Sequence, residues 1–213
     1  MRAVIFDLWD TLVEWPVAEA TRLRDRIAEL VPVDEEEFGR RWHEVYRASQ
    51  TGPLAEAYRT LGLPDEHIEA HVRARHAFGR QVLRPRAGAA AAVAELRRRS
   101  LKTAVITVCS EEVPAAWPES ELAGLFDVET FSSECGLMKP EPEIYLRTAR
   151  ALAVEPRDCL FVGDGANDEL GGAREVGMTP VLFLPDGNAP VWPELRGWTG
   201  QQVSSIEEVL ELC

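Results

Sequence analysis

Apolar positions recur along this chain with two different periods. Residues 2–6, carrying Ala3-Val4-Ile5-Phe6, are apolar on both faces and stop at Asp7, which reads as a buried parallel strand. From about residue 14 to 84 the period lengthens. Leu23, Ile27, Leu30 and Val31 recur at helical spacing, then Phe38, Trp42 and Val45, then Ile68 and Val72. Asp34 is placed to cap one of these helices, and Gly52-Pro53 and Gly62-Leu63-Pro64 mark breaks between others. Trp42, Tyr46 and Tyr58 fall in this stretch and read as its core, with the alternative that one of them faces a ligand.

Beyond Pro85 helices and strands alternate. An alanine-rich helix ending in Arg97-Arg98-Arg99 precedes a strand at 103–107 and a short one at 128–131. A helix over 143–152 leads to a strand at 159–162, a helix at 169–175 and a strand at 179–184. Ser205 is expected to cap a last helix over 206–212. This alternation predicts an α/β fold with a parallel sheet covered on both faces, and ligands in such sheets bind beyond the carboxyl ends of the strands. The helical stretch enters directly after the first strand, at that same edge, where it is placed to act as a lid.

Charge and composition narrow the partners. The 213 residues carry a formal net charge of −13, which disfavours nucleic acid and anionic membrane surfaces but leaves room for a phosphorylated small molecule in a locally cationic pocket. Cys109, Cys135, Cys159 and Cys213 are widely spaced with no CxxC pair, which argues against structural zinc or a disulfide framework and suits a reducing cytoplasm. The apolar start is too short for a signal peptide, and no run approaches the roughly 18 apolar residues of a membrane span. The expected protein is cytoplasmic, a monomer or homodimer.

Several strand ends deliver polar residues to one sheet edge: Asp7, Thr107, and Asp164 in Gly163-Asp164-Gly165-Ala166-Asn167-Asp168, with Lys139 in a neighbouring loop. Converging carboxylates repel one another unless a cation lies between them, and hard oxygen ligands favour Mg²⁺. Each residue also has a plainer reading. Asp7 could cap a turn, Lys139 could be a solvated lysine, Thr107 a β-former, and Asp168 a helix cap as readily as a metal ligand. His67 and His71 have metal-pair spacing without a third ligand and read as a solvated helix face.

Phe6-Asp7-x-x-x-Thr11-Leu12, Lys139-Pro140 and Gly163-Asp164-x-x-x-Asp168, in this order, resemble the haloacid dehalogenase-like superfamily over nearly the whole chain. The resemblance implies a Rossmann-like parallel sheet core (1–13 and 85–213) with an inserted α-helical cap domain (14–84). It also implies a hydrolase, with phosphatase chemistry on a small phosphorylated metabolite as the leading expectation. Asp7 would attack and form an aspartyl ester, with Thr107 and Lys139 completing the catalytic set. Trp9, Asp10, Thr107 and Lys139 would meet the substrate. Mg²⁺ would be held by Asp7, Asp164 and Asp168 and by the backbone carbonyl of Trp9.

Two positions depart from the family pattern. Trp9 stands where the family's phosphatases carry an acid–base aspartate, and Val108 stands where many relatives have asparagine. Asp10, one place further, cannot be assumed to substitute for that aspartate, because neighbouring side chains of an extended backbone point to opposite sides. A weakly active or binding protein of the same fold, or a dehalogenase-like hydrolase, therefore remain the alternatives.

Overall fold

The computed structural model describes residues 1–185 and 192–213, and all structural statements below refer to these. The chain runs β1 (Ala3–Phe6), α1 (Val17–Ala28), α2 (Glu35–Thr51), α3 (Leu54–Leu61), α4 (Asp65–Val82), α5 (Ala89–Arg98), β2 (Lys102–Thr107), α6 (Glu112–Ala116), β3 (Val128–Phe131), α7 (Ser132–Cys135), α8 (Pro142–Leu152), β4 (Cys159–Gly163), α9 (Glu169–Glu175), β5 (Thr179–Phe183) and β6 (Gln201–Val203). A 3₁₀ helix, Glu207–Leu212, follows.

All strand pairings are parallel, and the six strands lie in the order β3-β2-β1-β4-β5-β6. The arrangement is an α/β, Rossmann-like sheet. β1 and β4 sit at its centre and are buried along their whole length, which is why Ala-Val-Ile-Phe and Cys-Leu-Phe-Val-Gly are apolar without alternation. Val4, Phe6 and Val162 pack into one apolar layer, while Ile5, Ile106 and Phe161 pack into the layer on the opposite face. Central position brings the carboxyl ends of β1, β2 and β4 side by side.

Helices α1–α4 form a block with an apolar core of its own, including Ile27, Phe38, Val45, Leu54 and Leu61. Asp34 caps α2 as anticipated, its Oδ1 accepting from the Glu37 N–H at 2.9 Å. Helix α3 stops at Gly62, whose φ of 101° is a conformation that side-chain-bearing residues rarely adopt. The chain leaves the sheet and returns to it at one point, where Val13 and Pro85 form an isolated bridge and the Arg86 N–H donates to the Leu12 carbonyl at 2.7 Å. Among the described residues no helix is long and apolar enough to cross a membrane.

Three expectations need adjusting. The last helix is 3₁₀ rather than α, although Ser205 does accept from the Glu208 N–H at 3.4 Å. The strand expected at 179–184 ends at Phe183. The edge strand β6 was not anticipated, because Gln201-Gln202-Val203 buries only its valine and so carries no apolar run.

Phe161 connects the core to what lies above it. It is fully buried, meets Tyr145 edge-on at 5.3 Å between ring centroids, and carries the Lys139 Nζ 5.6 Å above its own ring. Phe161→Ala is expected to cost about 3–5 kcal/mol, read from urea unfolding. A loss below about 1 kcal/mol would contradict the packing described.

Candidate active site

The Asp7 N–H continues the ladder of β1, donating to the Val162 carbonyl at 2.8 Å. The chain then curls into a tight turn. The N–H groups of Leu12 and Val13 both donate to the Leu8 carbonyl at 2.9 Å, and Asp10 takes a left-handed conformation with φ 57°. The turn brings Thr11 back beneath the strand end, where its hydroxyl donates to Asp7 Oδ2 at 3.0 Å. Asp7 is thus buried at the centre of the sheet edge with one carboxylate oxygen already fixed.

Beside it, β4 ends at Gly163 and hands the chain to Asp164. Its Oδ1 accepts from the Ala166 N–H at 3.1 Å, and its Oδ2 from the Trp192 indole at 3.0 Å. Gly165 follows with φ 88°, and a Cβ there would lie 2.7 Å from the Leu195 side chain. Asn167 and Asp168 are also left-handed. That double turn sends Glu169 inward. Its Oε1 accepts from the Gly165 N–H at 3.0 Å, and the Tyr145 hydroxyl donates to its backbone carbonyl at 2.9 Å.

Lys139 closes the arrangement. Its buried ammonium donates to Asp7 Oδ1 and to Glu169 Oε2. Burial opposes the charge on Lys139, but the two carboxylates outweigh it and raise its pKa above the usual lysine value. Burial raises Glu169 well above the ordinary carboxylate range, and the charge on Asp7 adds to this. Asp7 is raised by burial as well; Lys139 opposes the rise and Asp164 adds to it. One ammonium therefore faces a cluster of excess negative charge. Carboxylate oxygens from Asp7, Asp164 and Glu169 lie within 4.8 Å of one another, a hard-oxygen donor set suited to a divalent cation.

Of the residues singled out from sequence, Asp7, Lys139 and Asp164 come together, and Trp9 and Asp10 line the same cavity. Thr107 ends β2 in a fully buried position, its hydroxyl without a hydrogen-bond partner among the described residues. The cavity wall there is formed by Val108 and Cys109. Asp168 does not join the carboxylate group. It is exposed, with its carboxylate over Gly171 at the start of α9, and Glu169 takes the inward place because of the left-handed turn before it. The expectation for Asp10 also changes: the backbone there is not extended, so Trp9 and Asp10 both reach the cavity. Asp10 Oδ1 accepts from the Trp15 N–H at 2.9 Å. His67 and His71 form no metal cluster among the described residues. The Cys109 thiol is pushed up by burial, which makes it a poor nucleophile.

Glu169, Trp192 and Trp15 were not anticipated. Glu169 sits one residue past the motif aspartate, at the first turn of a helix, where an acid is ordinary; only the preceding turn makes it a site residue. The cavity above Asp7 measures about 410 Å³ and is walled on its far side by residues of α1–α4. The helical block is tied to the sheet layer around it. The Leu54 N–H and His76 both bond Glu111, at 3.2 and 3.3 Å, Arg75 Nε donates to Glu112 at 2.9 Å, and the Ser132 hydroxyl donates to the Gln50 carbonyl at 2.7 Å.

A family model described as haloacid dehalogenase-like hydrolase matches residues 1–177. Similar curated proteins include a glyceraldehyde 3-phosphate phosphatase of Methanopyrus kandleri, 29% identical over 85% of this chain and 83% of its own length. A protein of the same name from Pyrococcus furiosus is 26% identical over 100% of this chain and 92% of its own. Among solved structures, a HAD phosphatase from Thermococcus onnurineus superposes with a TM-score of 0.72 at 20% identity, covering 100% of this chain and 97% of that one. A 2-haloacid dehalogenase from Pseudomonas syringae superposes at 0.70 and 22% identity over the same shares. At these identities the two structures show the shared fold alone.

The buried charge cluster makes a stability test possible without any reaction. In the presence of chelator, Lys139→Met is expected to cost about 3–5 kcal/mol, because it strands Asp7 and Glu169 without a counter-charge. Adding Glu169→Gln to Lys139→Met should recover part of that loss in thermal unfolding. Unchanged stability in Lys139→Met would contradict the pairing.

Proposed function

The chain belongs to the haloacid dehalogenase-like hydrolases, and on that premise we propose that it is a Mg²⁺-dependent phosphatase whose nucleophile is Asp7. The observation that carries this reading is the gathering of the Asp7, Asp164 and Glu169 carboxylates at one sheet edge, with the Lys139 ammonium bonded to both Asp7 and Glu169. Asp7 has one oxygen held by Thr11 and one by Lys139, so its orientation is set before substrate arrives.

In the first step an Asp7 oxygen bonds to phosphorus. The bond from phosphorus to the ester oxygen breaks, its electron pair leaving with that oxygen, which then takes a proton. In the second step water bonds to phosphorus and loses a proton, and the bond to Asp7 breaks, releasing inorganic phosphate and regenerating the carboxylate. Lys139 holds the nucleophile and balances charge as it builds on the transferring group. The Thr107 hydroxyl is buried and without a partner among the described residues, but Val108 and Cys109 form the cavity wall at that point, so Thr107 does not face that group. The donor set of Asp7, Asp164 and Glu169 fits Mg²⁺, with the Trp9 carbonyl as the further ligand that the family resemblance implies, and the ion would supply charge neutralisation to the transferring group. Residues 14–84 serve as a cap over the core of 1–13 and 85–213, excluding bulk water from the cavity.

The substrate is a small phosphorylated metabolite, and the activity named for the archaeal relatives makes glyceraldehyde 3-phosphate the reference compound for assay. A dehalogenase reading fits less well, because Asp164 and Glu169 beside Asp7 would repel a haloacid carboxylate. A second reading, slow turnover in a protein that chiefly binds, is favoured by one observation: Trp9 presents an indole to the cavity, packed edge-on against Trp15 at 4.9 Å. General acid–base assistance contributes about 10²–10⁴ in rate, so its absence at this position would be felt.

Asp7→Asn is expected to lower Mg²⁺-dependent phosphate release by about a thousandfold or more with the circular dichroism spectrum intact. Retained turnover would remove the nucleophile assignment. Trp9→Asp separates the two readings. A rise in turnover of about tenfold or more would mark the native site as slow for want of a proton donor, whereas unchanged or lower turnover would show that it has its own.

A further inference from the structure

We propose that the cavity above Asp7 selects phosphate esters whose organic group carries a flat aromatic or heteroaromatic ring, a substrate class that rests on the phosphatase reading. Six aromatic side chains reach this one chamber: Trp9 and Trp15 from the turn and segment after β1, Trp42 and Tyr46 from α2, Tyr58 from α3, and Trp192, whose indole donates to Asp164. Their placement is set by neighbours. Trp9 stands edge-on to Trp15 at an interplanar angle of 81°, and Trp15 stands edge-on to Phe78 at 6.2 Å and 75°. Trp42 leans on Phe38 at 5.7 Å and lies under the Arg24 guanidinium, 5.8 Å from its centroid.

Packing alone does not account for these rings. Tyr58 belongs to the core of the helical block and Trp42 packs against it, yet both also line the cavity. Tyr46 is 40% exposed, on a helix that presents charged residues elsewhere along its outer face. A tyrosine left 40% exposed at the wall of a half-open cavity gains apolar contact when a ring lies against it.

Size points the same way. About 410 Å³ falls within the range of about 300–1,000 Å³ typical of pockets that enclose drug-sized ligands. A three-carbon phosphate leaves much of that space wet and the rings without an apolar partner. A ring-bearing ester anchors its phosphate at Asp7 and Lys139 and offers its faces and edges to the aromatic wall. Arg24, Ser49 and Gln50 also line the cavity and supply polar contacts for ring substituents.

The test compares two inert mimics that share a phosphonate head, 2-phenylethylphosphonate and propylphosphonate, by calorimetry on the full chain with Mg²⁺. The ring-bearing compound is expected to bind at least about tenfold more tightly. In Tyr46→Ala or Trp42→Ala, each checked for native circular dichroism, that advantage should shrink by about threefold or more. Equal affinities, tighter binding of the propyl compound, no binding of either, or a ring advantage untouched in both variants would overturn the proposal. Failure of the phosphatase reading is distinguishable. It would appear as no phosphate released from 2-phenylethyl phosphate or from glyceraldehyde 3-phosphate, whatever the ratio of phosphonate affinities.

Discussion

Lys139 holds together a cluster that would otherwise push itself apart. Its ammonium sits between the carboxylates of Asp7 and Glu169, all three buried, with Asp164 close by. Removing such charges from water costs several kcal/mol each, and the cost is offset only when every charge is matched. The loop that carries Lys139, the double left-handed turn that carries Glu169 and the end of β1 are thereby constrained to one another. The sheet can satisfy that constraint because β1 and β4 are central neighbours, so strands far apart along the chain end at the same place.

The cluster remains short of positive charge even with Lys139 in place, since three carboxylates face one ammonium. That imbalance is a property of these residues alone. It leaves room for a divalent cation as a fifth member, while Thr11 and Lys139 keep Asp7 oriented without tying up both of its oxygens in ion pairs. Chemistry and cover meet at the turn after β1, where Asp10 bonds the backbone of Trp15 and the chain passes directly into the helical block. Any movement of that block is therefore mechanically connected to Trp9 and Asp10, which line the cavity.

Much of this was legible in the residues, and the reasons for what was not are specific. β1 and β4 are continuous apolar runs because both their faces are buried, and such runs announce themselves. β6 is short, polar and at an edge, so nothing in its pattern distinguishes it from loop. Asp7, Lys139 and Asp164 stood out through the resemblance of their spacing to a known family. Glu169 did not, because whether it or Asp168 turns inward depends on the conformation of Gly165, Asn167 and Asp168, which periodicity does not encode. The aromatic residues of α2 and α3 were legible as apolar positions, but helical spacing cannot say that Trp42 and Tyr58 face both a core and a cavity. The family model that matches residues 1–177 fixes the class of chemistry, while the rings of the cavity come from the turn and segment after β1, from the helical block and from Trp192.

The most direct measurement is anomalous diffraction from crystals soaked in Mn²⁺ as a stand-in for Mg²⁺. The expected result is a single strong peak bounded by Asp7, Asp164 and Glu169, lost in crystals of Asp164→Ala. No peak among these carboxylates at millimolar Mn²⁺, or a peak that persists there in Asp164→Ala crystals, would contradict the central claim that these residues form one metal-assisted catalytic site.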